Sequence, residues 1–84
     1  MYQEMSQRIE KAQLVRLVTQ RTKQNAVLVE EITDAVFEEI VAALERGQCV
    51  SLRNFGSFYV RSEREPWVFK FNPSQRLRRL FGWS

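Results

Sequence analysis

The sequence predicts an α+β fold made of two N-terminal helices, a three-stranded antiparallel meander and a short C-terminal helix. Three observations carry that expectation. Apolar residues recur at helical spacing from Ile9 to Leu44 with no glycine or proline among them, and just after Gly47 the period shortens to strand-like alternation. The break Asn72-Pro73-Ser74 then precedes a last short run that mixes leucines with arginines.

The first helix is expected over Ser6–Thr22, with Ile9, Leu14, Leu17 and Val18 near helical spacing and Ser6 as its N-cap. Between Arg21 and Ala26 the apolar signal lapses, and Asn25 supplies a side-chain oxygen to cap the next helix. That second helix, Ala26–Arg46, carries Val29, Ile32, Val36, Ile40, Ala43 and Leu44 on one stripe, broadened by Phe37 and Val41. The stripe is wider than one short helix covers. Glu30, Glu31, Asp34, Glu38, Glu39 and Glu45 fill the opposite face as a solvated surface, and Gly47 stands where a left-handed C-cap belongs.

Val50 and Leu52 alternate with Cys49 and Ser51 in a first, half-buried strand. A turn at Asn54-Phe55-Gly56 leads to a second strand, Ser57–Arg61. The third, Trp67–Phe71, should set Trp67, Phe69 and Phe71 on one face and Val68 and Lys70 on the other, with Pro66 opening it. After the Asn72-Pro73-Ser74 break, Ser74 caps a final helix, Gln75–Phe81, that turns Leu77, Leu80 and Phe81 inward and Arg76, Arg78 and Arg79 outward.

Composition narrows the chemistry. The 84 residues are expected to form a single domain, 1–84, with residues 1–7 flexible, and so short a chain buries little surface by itself, which favours oligomerisation. With no histidine and Cys49 as its lone cysteine, the chain offers no intrachain disulfide, zinc site or histidine-based acid and base. No catalytic residue, metal or cofactor is expected. Glu63 and Glu65 flank Arg64 on a short exposed turn and read as solvated charge. The N-terminal stretch lacks a signal-peptide core and no apolar run approaches bilayer length, so the expected compartment is the cytoplasm, with no membrane partner.

Charge is divided unevenly along the chain. Residues 1–47 hold six Lys/Arg against eight Asp/Glu, whereas residues 48–84 hold seven against two, for a net +3 overall. A basic C-terminal half points to an anionic partner such as nucleic acid.

The segments "KAQLVRLV", "VEEITDAVFEEIVAALERG", "VSLRNFGSFYV" and "FNPSQRLRRL" resemble, in order, the bacterial histone-like HU and integration host factor (IHF) family. The resemblance implies an intertwined dimer of identical or related subunits, which would account for the wide apolar stripe. It places Val36, Phe37, Ile40, Leu44, Phe55 and Phe58 in the dimer core, with Gly56 giving the backbone a conformation that a side chain would disfavour.

In that family the second and third strands extend as a long basic arm that wraps the minor groove, with a proline near its tip that wedges between base pairs. Here about four loop residues replace it, so the arm is truncated. The resemblance assigns phosphate contacts to Lys11 and Arg78, and the basic half adds Arg53, Arg61, Arg64, Lys70, Arg76 and Arg79. Ala43 and Gln75 stand where relatives often carry a hydroxyl residue and a lysine, and Asp34 stands where an acid can pair with Lys11.

Two functions follow as expectations. The first is a nucleoid-located architectural protein that binds double-stranded DNA through its backbone without sequence preference and bends it little. The second keeps the dimeric fold as a protein-interaction module that no longer binds DNA.

Overall fold

The computed structural model describes residues 7–61 and 63–82, in the order α1 (Lys11–Thr22), α2 (Ala26–Glu45), β1 (Val50–Leu52), β2 (Gly56–Arg61), β3 (Val68–Pro73) and α3 (Gln75–Leu80). The chain divides into two compact units, residues 1–37 and 38–84, with the boundary inside α2.

In the first unit α1 begins five residues later than expected. Glu10 is extended, its N–H donates to Gln13 Oε1 at 2.7 Å, and its carbonyl accepts the first helical bond from Leu14 N–H at 3.0 Å. A Glu and a Gln three residues apart thus open the helix in place of the expected cap at Ser6, which lies outside the described residues, as do residues 1–6 of the segment expected to be flexible. The helix ends at Lys23, left-handed at φ 57°, whose N–H donates to Thr19 O at 2.7 Å. Asn25 caps α2 as expected, its Oδ1 accepting from Leu28 N–H at 3.1 Å. Val15 and Val29, one from each helix, are the buried apolar side chains of the described residues.

The end of α2 at Glu45, one residue short of the expected Arg46, follows from a pair of closing bonds. Gly47 N–H donates to Leu44 O at 2.9 Å and Gln48 N–H to Ala43 O at 3.0 Å, with Gly47 at φ 76°. This is the Schellman arrangement, and it requires a residue at ease in the left-handed region.

The sheet runs β1-β2-β3, antiparallel throughout, with Val50 opposite Phe58 and Leu52 opposite Gly56 in the first pair. In the second pair Phe58 faces Phe71, Tyr59 faces Lys70 and Arg61 faces Val68. The β1–β2 turn closes through Phe55 N–H to Leu52 O at 3.0 Å and sets Asn54 left-handed at φ 66°. Gly56, the first residue of β2, is buried with φ 152°, and a Cβ there would lie 2.6 Å from Asn72 O and 2.8 Å from the Phe71 ring. Gly56 is therefore required twice over, by conformation and by space.

Four expectations for the C-terminal half need correction. Cross-strand pairing stops at Arg61–Val68, so Trp67 precedes β3 and Pro66 lies in the connection instead of opening the strand. That connection, 62–67, has six residues where about four were expected. Asn72 and Pro73 continue β3 and do not break it, because β3 is an edge strand on which the missing proline N–H leaves no ladder bond unmade. Finally, α3 stops at Leu80, and Leu80 and Phe81, expected to turn inward, are largely exposed at 59% and 66%.

Ser74 caps α3 with its side chain, accepting from Leu77 N–H at 3.3 Å, while its own N–H donates to Phe55 O at 2.9 Å. Among the described residues no helix is long and apolar enough to cross a membrane.

Candidate nucleic-acid interface

Strand alternation gives the sheet two unlike faces. One carries Phe58, Phe71, Val60 and Phe69, and the rings form a chain: Phe55 to Phe58 at 6.2 Å, Phe55 to Phe71 at 5.8 Å, Phe58 to Phe71 at 5.0 Å and Phe58 to Phe69 at 6.0 Å. Tilted and offset rings at these spacings are favourable aromatic pairs. Because Phe55 and Phe69 are about half exposed (47% and 58%), this face is only partly covered within the chain. On α2, Val36 and Phe37 are similarly exposed, and Ile40 and Leu44 are half-buried.

The other face carries Ser57, Tyr59 and Arg61 on β2 opposite Asn72, Lys70 and Val68 on β3. Asn72 Oδ1 accepts from Arg78 Nη2 at 2.6 Å, which holds the α3 guanidinium at the end of the strand. At two-residue steps along β3 the face therefore presents Arg61 (across from Val68), Lys70, and then Arg78 (bound to Asn72). Sequence reasoning named the three cations and missed Asn72, since an Asn-Pro-Ser run signals a break before a helix and gives no sign of a side-chain clasp six residues long. It also missed Tyr59, which sits directly across from Lys70.

The remaining named cations are spread around this row. Arg64 lines a shallow depression at the β2–β3 tip with Arg61, Glu63, Pro66 and Val68. Arg53 belongs to the β1–β2 turn at the other end of the hairpin, and Arg76 and Arg79 are exposed on α3. Among the described residues none of Arg53, Arg61, Arg64, Lys70, Arg76 and Arg79 forms an ion pair with a carboxylate.

Lys11, in the first unit, differs. Its Nζ lies 2.9 Å from Asp34 Oδ1 and 3.4 Å from Glu30 Oε2, as the position of Asp34 suggested. The hydrogen bond to Asp34, aided by the charges of Asp34 and Glu30, raises its pKa above the ordinary 10.5. A raised lysine pKa stabilises the fold fully below pH 10.5, and that contribution disappears as pH climbs through the folded value. Thermal midpoints measured from pH 9 to about 12 should accordingly fall more steeply for the parent chain than for Lys11→Ala, which has no such link to lose; parallel curves would remove the ion pair from the stability of the hairpin.

A small α+β scaffold whose sheet has one aromatic and one cationic face is organised as nucleic-acid-binding modules are. The comparisons with known proteins make the assignment specific. Residues 9–74 match the model of the family described as bacterial DNA-binding protein, and the chain belongs to that family, the HU/IHF group. Its members bind DNA and are not enzymes.

Among curated relatives, integration host factor subunit alpha of Aromatoleum aromaticum is 39% identical over 59 residues, 70% of this chain and 57% of that protein. The same subunit of Bordetella avium is 43% identical over 53 residues, 63% of this chain and 46% of the relative. The chain thus spans about half the length of the curated relatives it matches. Among solved structures, a point mutant of HU from Thermotoga maritima superposes with a TM-score of 0.78 at 30% identity, covering 86% of this chain and 97% of that one. An HU from Anabaena crystallised with DNA shares the fold, with a TM-score of 0.76 at 23% identity over 90% of this chain and all of that one.

Proposed function

We propose that this chain is an HU-like architectural protein of the nucleoid that binds double-stranded DNA through its phosphates, without sequence preference, as a dimer of identical or related subunits. The observation that carries the reading is the row Arg61, Lys70 and Asn72-held Arg78 on the polar face of the sheet. Steps of two residues along a strand recur about every 7 Å, and one DNA strand presents a phosphate every ~3.4 Å of axis. Cations at that spacing can meet alternate phosphates. They read no base edges, so they position the protein without selecting sequence.

Arg53, Arg64, Arg76 and Arg79 flank the row and extend the same field. Lys11 takes a lesser share, since the two carboxylates beside it leave that corner of the surface net negative. With six residues between β2 and β3 the hairpin is too short to follow the minor groove, and bending is correspondingly small. Dimerisation is supported by the half-exposed phenylalanines of the sheet and by Val36 and Phe37 on α2. On this reading the single HU-like domain, 1–84, is complete only when the second subunit covers those faces.

Titration of a labelled duplex tests the proposal. Three cations from each subunit make about six phosphate contacts, which predicts a loss of about a thousand-fold in affinity between 50 and 200 mM salt. The double variant Arg78→Glu/Arg79→Glu should weaken binding more than about ten-fold at fixed salt and flatten the salt dependence. Unchanged affinity in that variant, or no binding by the parent at low salt, overturns the assignment.

A further inference from the structure

Trp67 is the one large aromatic in the truncated tip, and it stands apart from the ring chain of the sheet. Its neighbours in sequence are Pro66 and Val68, it is 46% exposed, and among the described residues it has no ring contact, whereas Phe55, Phe58, Phe69 and Phe71 all pair with one another. The aromatic face therefore ends at Phe69. Directly across from Val68 is Arg61, and Arg61 and Arg64 line the tip depression with only Glu63 as counter-charge. Neither arginine is paired with a carboxylate among the described residues. An unpartnered indole beside two unpaired guanidinium groups is the composition that holds unpaired nucleotides: the ring supplies a stacking platform for any base, and the cations hold the adjoining phosphates.

The geometry points to a second nucleic-acid site at the β2–β3 tip, in which Trp67 stacks on an unpaired base of single-stranded DNA while Arg61 and Arg64 contact its phosphates. An intact duplex offers no free base face, so the indole contributes little there. The site differs from the phosphate row proposed above in what it recognises, and it shares only Arg61 with that row.

The experiment uses a short oligo(dT) strand and a duplex of equal length, with the parent chain, Trp67→Ala, Trp67→Phe and Arg64→Ala. Because the sequence contains only two tryptophans, a Trp83→Phe background makes the fluorescence report on Trp67 alone. Oligo(dT) should quench that fluorescence, Trp67→Ala should weaken oligo(dT) binding by about ten-fold or more, and Trp67→Phe should restore most of it. Duplex affinity should change by less than about two-fold in both Trp67 variants, and Arg64→Ala should weaken binding to both DNAs. Equal oligo(dT) affinity of the parent and Trp67→Ala, equal losses on both DNAs in Trp67→Ala, or absence of quenching overturns the inference. Failure of duplex binding with oligo(dT) binding intact would overturn the phosphate-row proposal and leave this one standing.

Discussion

Gly56→Ala should destabilise the chain by about 3 kcal/mol or more, read as a large drop in the urea midpoint followed by circular dichroism. Two independent penalties add. The backbone at φ 152° is one that side chains rarely adopt, costing about 1–3 kcal/mol. The new methyl group would also sit 2.6 Å from Asn72 O and 2.8 Å from the Phe71 ring, and overpacking of that kind costs about 1–3 kcal/mol. Against a total stability of about 5–15 kcal/mol the loss is severe. Gly47→Ala provides the contrast: its φ of 76° is unfavourable too, but nothing lies within 4 Å of its would-be Cβ, so it should cost about 1 kcal/mol. Equal costs at the two glycines would show that backbone conformation alone explains Gly56.

Phe37→Asp should convert the protein from a dimer to a largely unfolded monomer. Phe37 is 48% exposed in the single chain, beside Val36 at 49%, and the described residues bury only Val15 and Val29 among their apolar side chains. Chains with so little internal core draw their stability from association, and a carboxylate left without a partner inside such an interface costs about 3–5 kcal/mol. Sedimentation should give twice the monomer mass for the parent, whose thermal midpoint should rise with protein concentration; the variant should show neither. A parent that sediments as a stable monomer with a concentration-independent midpoint would remove the dimer from the proposed function.

Where an element boundary is set by side-chain chemistry it was legible in the residues. Asn25 and Ser74 cap the helices that follow them, and Gly47 ends α2, because oxygen acceptors and φ above zero belong to few residue types. Boundaries set by pairing were less visible. Trp67 continues the alternation of Phe69 and Phe71, so the pattern cannot show that the ladder has already ended at Val68. Lys23 closes α1 in the left-handed region although lysine carries no signal for it.

The cations of the site were legible as a composition, and the separation of Lys11 from them was anticipated only through Asp34. Their arrangement was not legible, since the row depends on the β2–β3 register and on the Asn72–Arg78 hydrogen bond, neither of which leaves a local trace.

The bond from Ser74 N–H to Phe55 O has a consequence for the order in which the chain acquires its shape. A helix as short as α3 cannot nucleate by itself in water, because the first turn fixes several residues for a single bond. Ser74 supplies the missing start, and it is held in position by the carbonyl that precedes Gly56. The hairpin turn must close before the arginines of α3 have a fixed address, so each opening of the LRNFGSF segment also disperses the charge carried by Arg76, Arg78 and Arg79.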